Sequence, residues 1–183
     1  VRLVGSEMCI RDRWASWWNE TFSEWQKQGL DEKWTADKLY DYYGLDTLVQ
    51  AWINHRMPGF PEPKEHGHEI MQDEHDYEHL KKMMFSEEYM HQCMQYFKSI
   101  KSQHEAGHFA LWYTIEGFFW FPRTLFGIEN HLYAFYDYPE LMHRINQDQT
   151  DYMLMFLEEM YKVVTPDFMT FAEDMSYNHG PML

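Results

Sequence analysis

The chain has 183 residues, with 30 Asp and Glu against 15 Lys and Arg and a formal net charge of −15. That length fits one domain, or part of one, because a whole α/β barrel usually needs ~250 residues. The acidic balance, with no local cluster of Lys and Arg, excludes nucleic acid and anionic membrane surfaces as partners. Two cysteines exclude a disulfide framework and a cysteine-based zinc site, and no apolar run approaches the ~20 residues of a membrane span, so the expected compartment is the cytoplasm. An aromatic content of 19% supplies the bulk for a folded core.

The first thirteen residues, VRLVGSEMCIRDR, carry no periodicity and resemble a translated adapter at the end of an assembled fragment. Residues 1–13 are therefore read as a non-native leader and 14–183 as the domain. Trp14, Trp17, Trp18, Phe22 and Trp25 recur at spacings of three and four and predict a helix to about Gln28, stopped by Gly29. A second short helix is expected over Thr35–Tyr43, and the branched and aromatic content of Asp46–Asn54 predicts a strand. HRMPGFPEP cannot continue either element because three prolines remove backbone donors. Glu62–Glu78 is polar and aperiodic and is expected to be a solvated loop or short hairpin.

Ser86 and the Glu87–Glu88 pair mark a helix start, and Tyr89, Met90, Met94, Phe97 and Ile100 carry its rhythm to about Glu105, with Gly107 as the stop. FALWYTIEG, Phe109–Gly117, predicts a strand covered on both faces. A Pro-interrupted segment then leads to a helix over Ile128–Phe135, and Pro139 opens a long helix that Thr165–Pro166 breaks. DFMTFAEDM, Asp167–Met175, reads as a second buried strand ending at Glu173 and Asp174. Strands joined by crossovers longer than a dozen residues imply βαβ units and a parallel sheet, hence the α/β class.

HEAGH, His104–His108, matches the H-E-x-x-H pattern of zinc hydrolases, which needs both histidines one turn apart on an uninterrupted helix, with a third ligand such as Glu129. Gly107 and the strand-like run after it place His108 beyond the helix. The expected reading is therefore a helix-to-strand junction, with no metal ligand in this chain.

The ordered series EWQKQGL, DYYGLD, AGHFALWYTIEGFFWFPRTLFGIEN, YDYPELMHRI and PDFMTFAEDMSYNHGPML is similar to the uroporphyrinogen decarboxylase superfamily from Trp14 onward. The resemblance implies an incomplete (β/α)8 TIM-type barrel with extra N-terminal helices, the N-terminal part of an enzyme inactive on its own. The implied activity is a carbon–carbon lyase acting on a tetrapyrrole or other carboxylated ligand at the C-terminal face. Corrinoid-dependent methyl transfer is the alternative within the superfamily, with a corrinoid protein as partner. No cofactor is expected in this stretch, zinc or a corrinoid belonging to the complete protein. Where the decarboxylases carry an R-Q-A-G-R type motif this chain reads HRMPGFPEP, and Arg56 alone cannot clamp several carboxylates bidentately. Readings from other classes are the H-E-x-x-H zinc hydrolase and a non-enzymatic helical binding module.

Barrel sites form at the C-terminal ends of strands. The expected catalytic residues are Glu116, Glu173 and Asp174, of which the adjacent pair should point to opposite sides. The expected substrate-binding residues are His55, Arg123, Tyr177 and His179. Gly117 is expected to let a ligand or backbone approach closely, and Phe118–Phe121 could wall a flat ligand.

Overall fold

The computed structural model describes residues 19–31, 33–34, 38, 40, 44–177 and 179–182, which divide into two units, Val1–Thr47 and Leu48–Leu183. In the first, helix α1 (Asn19–Lys27) sets Phe22 and Trp25 side by side, one turn apart. Gly29, at φ +107°, ends it, and the Leu30 N–H returns to the Trp25 carbonyl. Trp14, Trp17 and Trp18, the leader 1–13, and all but two residues of the helix expected over Thr35–Tyr43 lie outside the described residues.

The second unit is mixed α/β. Strands β1 (Leu48–Trp52), β2 (Ala110–Glu116) and β3 (Phe168–Ala172) form a parallel sheet in the order β1-β2-β3. Helices α2 (Glu74–Lys81) and α3 (Glu87–Glu105) lie between β1 and β2. Helices α4 (Trp120–Phe126), α5 (Ile128–Asp137) and α6 (Pro139–Val163) lie between β2 and β3. A short antiparallel pair, β4 (Ser176–Tyr177) and β5 (Gly180–Pro181), follows.

The period of two along β2 divides the sheet's two faces. Leu111, Tyr113 and Ile115 join Ala51 in a core with Met90, Met94 and Phe97 of α3 and Tyr152, Phe156 and Met160 of α6. On the other face Gln50 Nε2 donates to Thr114 Oγ1 at 2.7 Å, and Thr114 and Thr170 share a hydroxyl hydrogen bond of 2.9 Å, a polar row across all three strands. A second core gathers Tyr77 and Leu80 of α2, Phe121, Leu125 and Phe126 of α4, and Leu141 and Ile145 of α6.

Three expectations are corrected. Within the stretch expected as loop, Asp73 caps α2 by accepting from the Asp76 N–H, and burial of Tyr77 and Leu80 anchors this one short apolar face. The Pro-interrupted segment contains α4, whose Pro122 sits in the first turn, where its missing N–H is tolerated. Strand β3 is not buried on both faces: Phe168, Met169 and Phe171 are exposed, because β3 ends the sheet and none of its residues joins either core among the described residues.

The junction expected at HEAGH is present. His104 lies in the last turn of α3, Glu105 ends it, Gly107 turns the chain at φ +76°, and His108 lies beyond the helix. His104 Nε2 donates to Asp167 Oδ2 at 2.9 Å, and the same oxygen accepts the Leu111 N–H at 2.7 Å. These bonds, the His104 one foremost, hold the Asp167 carboxyl below its usual value. The motif thus ties the N-terminal ends of β2 and β3 together, a structural duty at the opposite end of the sheet from Glu116.

Candidate functional site

Parallel pairing sets which side chains share an end of the sheet. Trp52 pairs with Thr114, Glu116 with Ala172, and the Gly117 N–H donates to the Ala172 carbonyl. Asn54, His55 and Arg56 after β1, Glu116 at the end of β2, and Glu173 and Asp174 after β3 therefore gather at the C-terminal rim, where ligand sites of parallel sheets form.

At the β1–β2 corner, Arg56 faces Glu116 with both terminal nitrogens, Nη1 to Oε1 at 3.0 Å and Nη2 to Oε2 at 2.9 Å, and Nη2 also donates to Thr124 Oγ1 at 2.6 Å. One hydrogen bond, Nη1 to Oε1, and the close ion contact of Nη2 with Oε2 fix both side chains. The loop backbone is fixed as well, since the Met57 N–H donates to the Met83 carbonyl and the Phe85 N–H to the His55 carbonyl. Gln149 of α6 donates to the Glu116 backbone carbonyl at 2.6 Å. His55, expected to bind substrate, is fully enclosed between the rings of Phe85 and Phe121, with Nε2 3.4 Å from Glu116 Oε2. Burial, aided by the neighbouring Arg56 charge, holds its pKa well below the usual value, so the imidazole is neutral. It lies behind Glu116 and is not among the residues that line the cavity described below.

At the β2–β3 corner the adjacent carboxylates diverge as expected. Glu173 turns to the start of α4 and accepts from the Phe119 N–H at 3.2 Å and the Trp120 N–H at 2.8 Å. It caps a helix whose own N-cap residue, Phe119, has no side chain able to do so. Gly117 makes this possible: a Cβ there would lie 2.0 Å from the Glu173 carboxyl carbon. The close approach expected at Gly117 is therefore made by a carboxylate of the chain itself. Asp174 turns the other way, where its Oδ2 and its carbonyl accept from Arg123 at 3.1 Å each. The Arg123 guanidinium lies over the Trp120 indole, 4.4 Å from the ring centroid. Nearby, His131 is fully buried against Phe119 and Phe135, its pKa lowered to about 4 by burial and the Arg123 charge.

Beside these corners lies a cavity of about 540 Å³. Its polar lining includes Asn54, Arg56, Arg123 and Thr124, with Glu62, His66 and His68 from the loop, and its apolar wall includes Phe60, Ile70 and Trp120. The loop over it is pinned to α4 and α5, because the Ile70 and Met71 N–H groups donate to the Leu125 carbonyl and the Ile128 N–H to that of Gly67. Gly127 lets these chains touch, since a Cβ there would lie 2.7 Å from the Glu69 nitrogen.

Of the expected residues, Arg123 lines the cavity, while Glu116 and Asp174 stand behind its arginines. His179 is exposed in the turn between β4 and β5; Tyr177 lies in β4, and its side chain is outside the described residues. The aromatic run splits, with Trp120 on the cavity, Phe119 and Phe121 in the core and Phe118 exposed. Sequence reasoning undervalued Arg56 and missed Thr124, whose only signal was its place directly after Arg123. Among the described residues no group of three or more His, Cys, Asp or Glu side chains could hold a metal ion, and no helix is long and apolar enough to cross a membrane. Comparisons with protein-family models, curated proteins and solved structures return no match to this chain.

Proposed function

We propose that the protein is a uroporphyrinogen decarboxylase-like enzyme of the (β/α)8 type, a carbon–carbon lyase acting on a carboxylated ligand at the C-terminal rim. The observation that carries this reading is the convergence, at one end of three sequentially ordered parallel strands, of two arginines, three carboxylates and a cavity of about 540 Å³. The barrel itself is supported by what β3 leaves open. Met169 and Phe171 on one of its faces, and Leu154 and Tyr161 on α6, are exposed apolar groups that a further strand and helix would cover. Arg56 and Arg123 orient the ligand's acidic or carbonyl groups, Trp120 stacks on its flat part, and Glu116 and Asp174 hold the two guanidiniums in place.

Corrinoid-dependent methyl transfer is the alternative within the same superfamily, with zinc or a corrinoid supplied by parts of the protein beyond these strands. The zinc-hydrolase reading of HEAGH is disfavoured by the engagement of His104 with Asp167 and by the position of His108 beyond α3.

The test is to express the complete reading frame and assay it for CO2 release from porphyrinogens and simpler aromatic carboxylates, and in parallel for methyl transfer to cob(I)alamin. CO2 release that is lost in Arg56→Gln supports the lyase. Methyl transfer without CO2 selects the alternative, and neither activity overturns both.

A further inference from the structure

We infer that the rim cavity selects a ligand with at most one negative charge, a neutral or singly ionised compound with a flat ring, and rejects polycarboxylates. The inference rests on the rim being a ligand site, as proposed above, and it narrows the ligand class.

Charge decides the selection. Both guanidiniums that reach the cavity already have a carboxylate of this chain: Arg56 is held by both oxygens of Glu116, and Arg123 by Asp174. Glu62 adds a further negative charge to the lining, which contains no lysine; its two histidines are His66 and His68, and the second lies 3.5 Å from the Glu65 carboxylate. The wall therefore offers N–H donors without net positive charge. Glu116 leaves the Arg56 Nε–H free of any partner among the described residues, a donor suited to one carbonyl, phenol or carboxylate oxygen.

Yielding by the half-exposed Asp174 would free Arg123 for one anionic group only, so a polyanion would have to displace Glu116 as well to find charge compensation. Displacing Glu116 would strand a carboxylate whose side chain is only 13% accessible, beside a neutral His55, and the cost would offset the gain. Each arginine also has an aromatic partner at the cavity, Trp120 under Arg123 and Phe60 beside Arg56 at 5.8 Å. A flat ring between these walls gains stacking without needing charge.

The test is isothermal titration calorimetry on the full 183-residue chain, near neutral pH and low salt, with three probes that share one ring system. These are 2-naphthamide (neutral), 2-naphthoate (one charge) and naphthalene-1,4,5,8-tetracarboxylate (four charges). The first two are expected to bind at least about tenfold more tightly than the third, the scale of an uncompensated charge at a partly screened site. Glu116→Gln releases Arg56 and should shift the preference about tenfold toward the tetracarboxylate, with Asp174→Asn shifting it in the same direction by less. Asp174 is half exposed, so the second variant keeps the test alive if the first fails to fold. Tetracarboxylate binding as tight as naphthoate binding in the wild type overturns the inference and leaves the rim as a ligand site. Absence of binding by all three probes overturns the inference, and catalysis is then decided by the product assay alone. Binding that is unchanged in Arg56→Gln places the ligand away from the rim and overturns the underlying reading as well.

Discussion

The two rim corners solve one problem with different burial. At the β1–β2 corner both members of the pair are largely covered, Arg56 at 21% and Glu116 at 13% side-chain accessibility, with a neutral His55 sealed behind them. At the β2–β3 corner Arg123 is covered but Asp174 is 51% accessible, and the Trp120 indole supplies part of what water supplies elsewhere. A covered pair is costly to break because either partner is left charged without solvent, whereas an exposed carboxylate can be replaced by water. The first corner therefore fixes the geometry of the rim, and the second can yield to a ligand.

The largest effect that would break this contrast is in the covered pair. Glu116→Ala should cost about 3–5 kcal/mol of unfolding free energy in urea, as expected when one partner of a buried pair is removed. A loss below about 1 kcal/mol would put it in the class of exposed pairs and erase the distinction.

Each corner also holds a buried neutral imidazole, and these make stability depend on pH. In the folded protein the His131 pKa is lowered to about 4 from its ordinary 6.5, so the unfolded chain binds the extra proton first as pH falls. Stability from this group is fully present above pH 6.5 and declines as pH falls toward 4, by on the order of 3 kcal/mol across the window. His55 is shifted in the same direction, so it adds to the loss on acidification. Urea midpoints measured between pH 7 and pH 4 should show the fall. His131→Phe, which keeps a ring against Phe119 and Phe135, should flatten it, and an unchanged slope would remove His131 from the account.

Gly117→Ala sharpens the comparison at smaller scale. The new Cβ collides with the Glu173 carboxylate and uncaps α4, at a cost of about 1–2 kcal/mol, with faster amide exchange at Phe119 and Trp120 as the local signature. The smallest effect is expected at Asp174→Asn, under about 1 kcal/mol, since its carboxylate is half solvated.

Much of the architecture was legible because its determinants are local. Ser86 caps α3 through the Tyr89 N–H, Gly107 ends that helix region, Pro139 opens α6, and the apolar run of β2 lies between its turns as expected. Reading strand ends also put Glu116, Glu173 and Asp174 on one rim. Helices α2 and α4 were not legible. The first buries only Tyr77 and Leu80, too few positions for a visible period, and the second has its proline where a helix tolerates one. Nor was the openness of β3, because an apolar run does not say which of its faces finds a cover.

The sequence by itself determined the α/β class, the order of most elements and the end of the sheet at which acidic and basic groups gather. Those follow from periodicity, caps and breakers acting over a few residues. Only the tertiary structure decided what each rim residue does. Glu173 meets the start of α4 across more than fifty residues, and Arg56 meets Thr124 across 68. The enclosure of His55, the pairing of both arginines and the approach of Glu173 to Gly117 depend on distances between strands and helices. No local pattern carries them, because parallel pairing joins residues that are remote in the chain.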